Sequence, residues 1–182
     1  NYIAKDQNID AGEIAPTIVA VADSVTTSED TAVTINVLAN DSYLSSSPVT
    51  LSVGSPNNGT TALAESAPQQ ITYTPVSDFN GTDSFSYTIT QGAKTSSASV
   101  SVTVQATNDN PSINTASTLS ILEGETSIAT ISIADVDGDE LTLTISGTDA
   151  NSFSLSSDNV LSLKQAANYN EKNTYSIILN LT

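Results

Sequence analysis

The sequence predicts an all-β protein made of two tandem β-sandwiches, on three observations. Apolar residues alternate with Ser and Thr at a period of two; Gly, Pro, Asn and Asp interrupt the alternating runs at short intervals; and the pattern recurs after about 90 residues. No stretch sustains the 3.6-residue apolar period of a helix.

Taken in order, "AVTINV" (32–37), "VTLSV" (49–53) and "QITYTP" (70–75) read as the early strands of the first copy. "DSFSYTITQ" (83–91) puts Phe85, Tyr87 and Ile89 on one face and Ser and Thr on the other, and "SASVSVTVQ" (97–105) does the same with Ala98, Val100, Val102 and Val104. In the second copy "ATISIA" (129–134), "LTLTIS" (141–146), "NVLSL" (159–163) and "TYSIILNL" (174–181) are the equivalent runs. Strands this short with one polar face fit two antiparallel sheets packed face to face.

A shift of 90 residues lays Ile71, Tyr73, Phe79, Phe85, Tyr87 and Ile89 over Leu161, Leu163, Tyr169, Tyr175, Ile177 and Leu179 without a gap. A shift of 96 lays Glu29, Ile35 and Asp41 over Glu125, Ile131 and Asp137. The expected organisation is therefore residues 1–21 as the tail of a preceding repeat, 22–110 as one sandwich and 111–182 as a second, with Pro111 setting an extended link. By the same period the second sandwich is short of its last strand by roughly 18 residues. Residues 1–15 are expected to be able to add a strand to an open sheet edge of another copy.

Composition excludes much chemistry. There are 20 Asp and Glu against 4 Lys and Arg, and no His, Cys, Met or Trp. Disulfides, thiolate or imidazole metal sites and Ser-His-Asp catalysis are ruled out, leaving hard, oxygen-bound cations as the metals to consider. A net charge of −16 opposes nucleic acid and anionic membranes, and no apolar run is long enough to span a bilayer.

The densest acidity is "DVDGDE" (135–140), where Asp135, Asp137 and Asp139 alternate around Gly138. Carboxylates this close repel unless a cation or ample water separates them. Ca²⁺ takes six to eight oxygen ligands and suits such a loop, although the glycine and glutamate positions are not those of an EF-hand. A solvated turn is the plainer reading. Asn108, Asp109 and Asn110 form a second oxygen-rich cluster at the link, and Glu29 with Asp78 and Asp83 of "SDFNGTD" is expected to face the same joint from the first copy.

The runs "ADSVTTSEDTAVTINVLANDS", "ITYTPVSDFNGTDSFSYTIT" and "SASVSVTVQATNDNP" resemble the cadherin-like tandem repeats of large bacterial surface adhesins, and "ILEGE" with "ADVDGDELTLTISGTDANSFSLSSDNVLSLKQAANYNEKNTYSI" resembles a cadherin repeat proper. The resemblance covers nearly all of the chain after Ala22 and implies an Ig-like, cadherin-like Greek-key sandwich with Ca²⁺ between successive repeats. By that resemblance the ligands of the joint are Glu29, the loop of Asp78 and Asp83, Asn108, Asp109, Asn110, and Asp135 with Asp137; Glu123 or Glu125 and Glu171 would serve the next joint along. Three positions depart from the family pattern. Ala106 stands where the link's first aspartate is expected, "NYNE" replaces an Asp-Tyr-Glu at Glu171, and the first copy's "ANDSYLSSSP" keeps only Asn40 and Asp41, so little or no calcium is expected at its N-terminal joint.

The function expected on these grounds is that of a non-enzymatic module of a secreted adhesin at the bacterial cell surface, its partners being neighbouring repeats and a cell-surface glycan or protein. A carbohydrate-binding module is the alternative; it needs exposed aromatic faces, whereas Tyr73, Phe85, Tyr87, Phe153 and Tyr175 alternate inward and only Tyr2 and Tyr43 do not. Paired-carboxylate hydrolysis could nominate Asp78 and Asp83 or the aspartates of "DVDGD", but a small two-sheet domain offers no recognisable cleft.

Overall fold

The computed structural model describes residues 17–44, 46–64 and 70–182. The chain divides into two compact units at Thr107/Asn108. The expected strand-donating segment 1–15, with Tyr2, lies outside the described residues.

Unit 1 contains β1 (Asp23–Ser28), β2 (Val33–Ile35), β3 (Thr50–Val53), β4 (Gly59–Leu63), β5 (Ile71–Pro75), β6 (Gly81–Gln91) and β7 (Lys94–Gln105). One sheet has the order β1-β7-β6-β3 and the other β2-β5-β4. β1 runs parallel to β7 and every other pairing is antiparallel. A chain whose first strand joins the far side of its last hairpin cannot be a simple meander; it is the crossed connection of a Greek key.

Alternation dictates which side chains meet. In the β6–β7 ladder Phe85 pairs with Val100 and Asp83 with Val102, so one face of both strands turns inward. Phe85, Tyr87, Ile89, Val100, Val102 and Val104 are buried there against Ile71 and Tyr73 of the facing sheet, with Tyr73 and Phe85 stacked at 6.2 Å between ring centroids. Each such side chain contributes roughly 1.5–3 kcal/mol through removal from water. Gly59 is required by this packing, since a Cβ there would meet the Thr74 carbonyl oxygen and the Tyr73 ring at 2.6 Å.

Unit 2 contains β8 (Ser112–Ile113), β9 (Ser127–Thr130), β10 (Ile133–Ala134), β11 (Leu143–Ser146), a single 3₁₀ turn (Ala150–Ser152), β12 (Phe153–Leu155), β13 (Val160–Leu163) and β14 (Ile178–Leu181). The order β12-β13-β9 repeats β4-β5-β2 of unit 1, and the β11–β14 pair repeats β3–β6. The internal repeat read from the sequence is thus a repeat of topology. Among the described strands β14 pairs only with β11, where β6 is flanked on both sides. The core reflects this: Tyr87 and Ile89 are buried, whereas their counterparts Ile177 and Leu179 are half-buried around Ile131, Leu143, Phe153, Leu161 and Leu163.

Candidate metal centre

In unit 2 the acidic loop comes directly after β10. Gly138 has φ of +79°, a conformation that folds the loop back tightly and that side chains disfavour. The fold-back places the Asp139 N–H 3.2 Å from Asp135 Oδ1, and the Asp109 N–H donates to Asp137 Oδ2 at 2.7 Å. The link residue Asp109 is therefore tied to the "DVDGDE" loop. Asn108 and Asn110 are placed beside it, with Asn108 donating to the Asp109 carbonyl.

Asp135 carries the informative atom. Its Oδ2 is shielded from solvent and has no hydrogen-bond donor among the described residues. A carboxylate oxygen deprived of both water and donors is costly unless a cation meets it. The two lysines of unit 2 are engaged elsewhere, Lys164 by the Asn151 carbonyl and Lys172 by Asp149. The donors gathered here are all oxygens on a loop, which suits Ca²⁺ and no softer ion.

Unit 1 presents its own acidic end, beyond the finish of β7. Glu29 comes just after β1 and is buried; its Oε1 accepts the Thr107 N–H and hydroxyl. Next to it, the Asp78 N–H donates to Asp30 Oδ1 at 3.3 Å, and both aspartates adopt left-handed φ, 60° and 55°. Asp30 escaped the sequence reading, although its place beside Glu29 in "SED" is a usable signal.

Asp83 is differently placed from its predicted partner Asp78. It faces the interior of β6, is 4% exposed, and accepts hydrogen bonds from the Asn57, Asn58 and Ser84 N–H groups and from the Tyr73 hydroxyl. Burial pushes its pKa up, but these four donors outweigh burial and hold it below the ordinary carboxylate value. The same arrangement raises the Tyr73 hydroxyl to about 12, through burial and the adjacent Asp83 charge. Both oxygens of Asp83 are thus engaged by the fold itself.

Of the residues assigned to the next joint along, Glu123 accepts the Tyr169 N–H at 2.9 Å, which holds it against the loop that carries Glu171. Glu125 is exposed and contributes its backbone carbonyl to Ala167. Glu171 is exposed, its N–H bonded to the Asn168 carbonyl. The inward aromatics are as expected: Tyr73, Phe85, Tyr87 and Phe153 are buried, and Tyr175 packs edge-on to Phe153. Tyr43 is 38% exposed.

A further polar knot joins the leading segment of unit 1 to its core. The Tyr87 hydroxyl stands 2.8 Å from the Val21 carbonyl oxygen and 2.9 Å from Asp41 Oδ1, which also accepts the Val21 N–H. Replacing Tyr87 with Phe is expected to destabilise unit 1 by about 1–3 kcal/mol, measured by urea unfolding, because buried acceptors lose their donor. An unchanged midpoint would show the hydroxyl to be dispensable.

The class defined by these sheets is the Ig-like, cadherin-like β-sandwich. A family model described as a bacterial Ig domain matches residues 13–104, and the chain belongs to that family. Among solved structures it is similar to human protocadherin-24 EC1-2, at 16% identity and a TM-score of 0.50, covering 91% of this chain and 85% of that one. It also matches the protocadherin gamma B7 extracellular cadherin domains 1-4 (12% identity, TM-score 0.42, 92% of this chain and 50% of that one) and Drosophila N-cadherin EC1-4 (13%, 0.47, 81% and 40%). The chain thus spans half or less of those two longer structures. No curated protein matches the sequence. Among the described residues no helix is long and apolar enough to cross a membrane.

Proposed function

We propose that this chain is a non-enzymatic, calcium-binding extracellular module of a bacterial adhesin, in which Ca²⁺ at the joints between repeats stiffens a multi-repeat stalk for attachment to cells or surfaces. The observation that supports it most is the shielded, donor-less oxygen of Asp135 in a loop that also offers Asp137 and Asp139. Asp109, Asp135 and Asp137 are the acidic side chains of unit 2 that would hold an ion; Glu29, Asp30 and Asp78 are the acids gathered in unit 1. Bound calcium would supply positive charge to neutralise the acids. The residues themselves set the loop: Gly138 folds it, and the Asp109 N–H orients Asp137. Asp83, its oxygens engaged elsewhere, is left out of this ligand set. Neighbouring repeats are the first partners; a surface glycan or protein is the second.

At extracellular millimolar calcium, sites with Kd of about 10⁻⁴ to 10⁻³ M are substantially filled. Calcium at 10 to 100 times its Kd stabilises the form that binds it by about 1.4–2.7 kcal/mol. The melting temperature is therefore expected to rise in calcium and fall in EGTA, and small-angle scattering to give a narrower range of overall dimensions with calcium than without. Melting and scattering unaffected by EGTA would overturn the reading.

A further inference from the structure

The knot around Tyr87 contains a pair of acids that lie outside the calcium ligands proposed above. Asp23 opens β1 and Asp41 lies beyond β2, and each has one carboxylate oxygen, Oδ2, shielded from solvent and without a hydrogen-bond partner among the described residues. Asp41 Oδ1 receives the Val21 N–H at 2.7 Å and faces the Tyr87 hydroxyl. Around them the leading segment is held at further points. Val19 and Ser42 exchange both backbone hydrogen bonds, the Ala20 N–H donates to Ser96 Oγ, and the Asn40 amide donates to the Val21 and Ala22 carbonyls.

We propose that Asp23 and Asp41 form a proton-sensitive clamp: two carboxylates, each with a shielded and unpartnered oxygen, crowd the surroundings of Tyr87, and a proton on Asp23 tightens the hold on the segment Val19–Ala22. The titratable groups that face Asp23 are Tyr87 on β6 and Asp41 on its loop, with Asn40 as the neutral neighbour. Burial, then the Asp41 charge, raises the Asp23 pKa above 3.8 against the lowering effect of Tyr87 and Asn40, and the Tyr87 hydroxyl is itself raised by burial and by both acids. A raised carboxyl pKa in the folded state penalises folding once the group ionises. The penalty is complete above the raised value and absent below the unfolded value near 3.8.

Asp23→Asn in the full chain, in EGTA, tests this through the Val21 amide and the melting of unit 1, monitored by NMR at Ile89 and Val100. At neutral pH the variant is expected to melt a few degrees higher than the unaltered chain and to exchange its Val21 amide more slowly. The gap should close as pH falls through the Asp23 titration. A variant that melts at or below the unaltered chain at neutral pH, or a gap that does not vary with pH, overturns the proposal. Direct titration of the Asp23 carboxyl carbon in the unaltered chain decides independently of the variant: a midpoint above 3.8 supports the clamp, and one at or below it sinks the idea.

Discussion

Replacing Asp83 with alanine is expected to lower the stability of unit 1 by about 3–5 kcal/mol, a larger loss than removal of any exposed acid in the chain. The carboxylate sits inside the sandwich, and four donors converge on it: the Asn57, Asn58 and Ser84 N–H groups and the Tyr73 hydroxyl. Truncation leaves those donors without their acceptor and opens space beside the stacked Tyr73 and Phe85 rings. For a domain of this size the loss corresponds to a fall in Tm of roughly 15–30 °C. Denaturant unfolding monitored by tyrosine fluorescence would check it, and a change under about 1 kcal/mol would return Asp83 to the list of candidate ligands. The pH dependence has a definite sign. Because its folded pKa is depressed, Asp83 contributes stability above the unfolded value of 3.8 that is lost as pH falls through the lower, folded value. This is opposite to Asp23, so acidification strengthens one end of unit 1 while weakening the knot at Tyr73.

The second large effect concerns function. Changing Asp135 and Asp137 together to Asn is expected to weaken calcium binding on the order of tenfold or more and to abolish the gain in melting temperature on adding calcium, since ligand charge sets affinity in oxygen-coordinated sites. In EGTA the same double change should be neutral or stabilising, because it removes repulsion within the loop and keeps side-chain oxygens able to accept the Asp109 and Asp139 N–H bonds. That pair of results separates a metal loop from a merely solvated turn. Isothermal titration with CaCl₂ and melting with and without EGTA supply both arms. Retained calcium response in the variant would remove Asp135 and Asp137 from the mechanism.

Much of the architecture could be read in advance because alternation is local. Phe85, Tyr87 and Ile89 are two residues apart, and a strand must put them on one face whatever surrounds it. The same holds for Val100, Val102 and Val104, and the 90-residue shift carried the pattern of β5 onto β13. Less legible were the short strands. β4 carries only Ala62 and Leu63 as apolar residues, and β8 spans two positions, so their existence depends on a neighbour's free hydrogen-bonding edge more than on their own pattern.

The acids divide along the same line. "DVDGDE" stood out by density and by Gly138, but the hydrogen bond that ties Asp109 to Asp137 could not be read from either. Asp83 looked like one more loop acid near Asp78. Its position in the alternation, two residues before Phe85, was the sign that it points inward, and without knowledge of what lies opposite, a buried carboxylate is the less expected choice.

By itself, then, the order of residues determined that this chain is all-β, twice repeated, strongly anionic and limited to oxygen chemistry, because those properties depend on composition and on neighbours a few positions apart. Only the tertiary structure decided which carboxylates meet donors and which are left without them. Asp83 and Asp135 carry the same functional group, and what separates them is that Asn57, Asn58, Tyr73 and Ser84 engage both oxygens of the one, whereas the other receives, among the described residues, a single N–H, from Asp139, on Oδ1 and none on Oδ2.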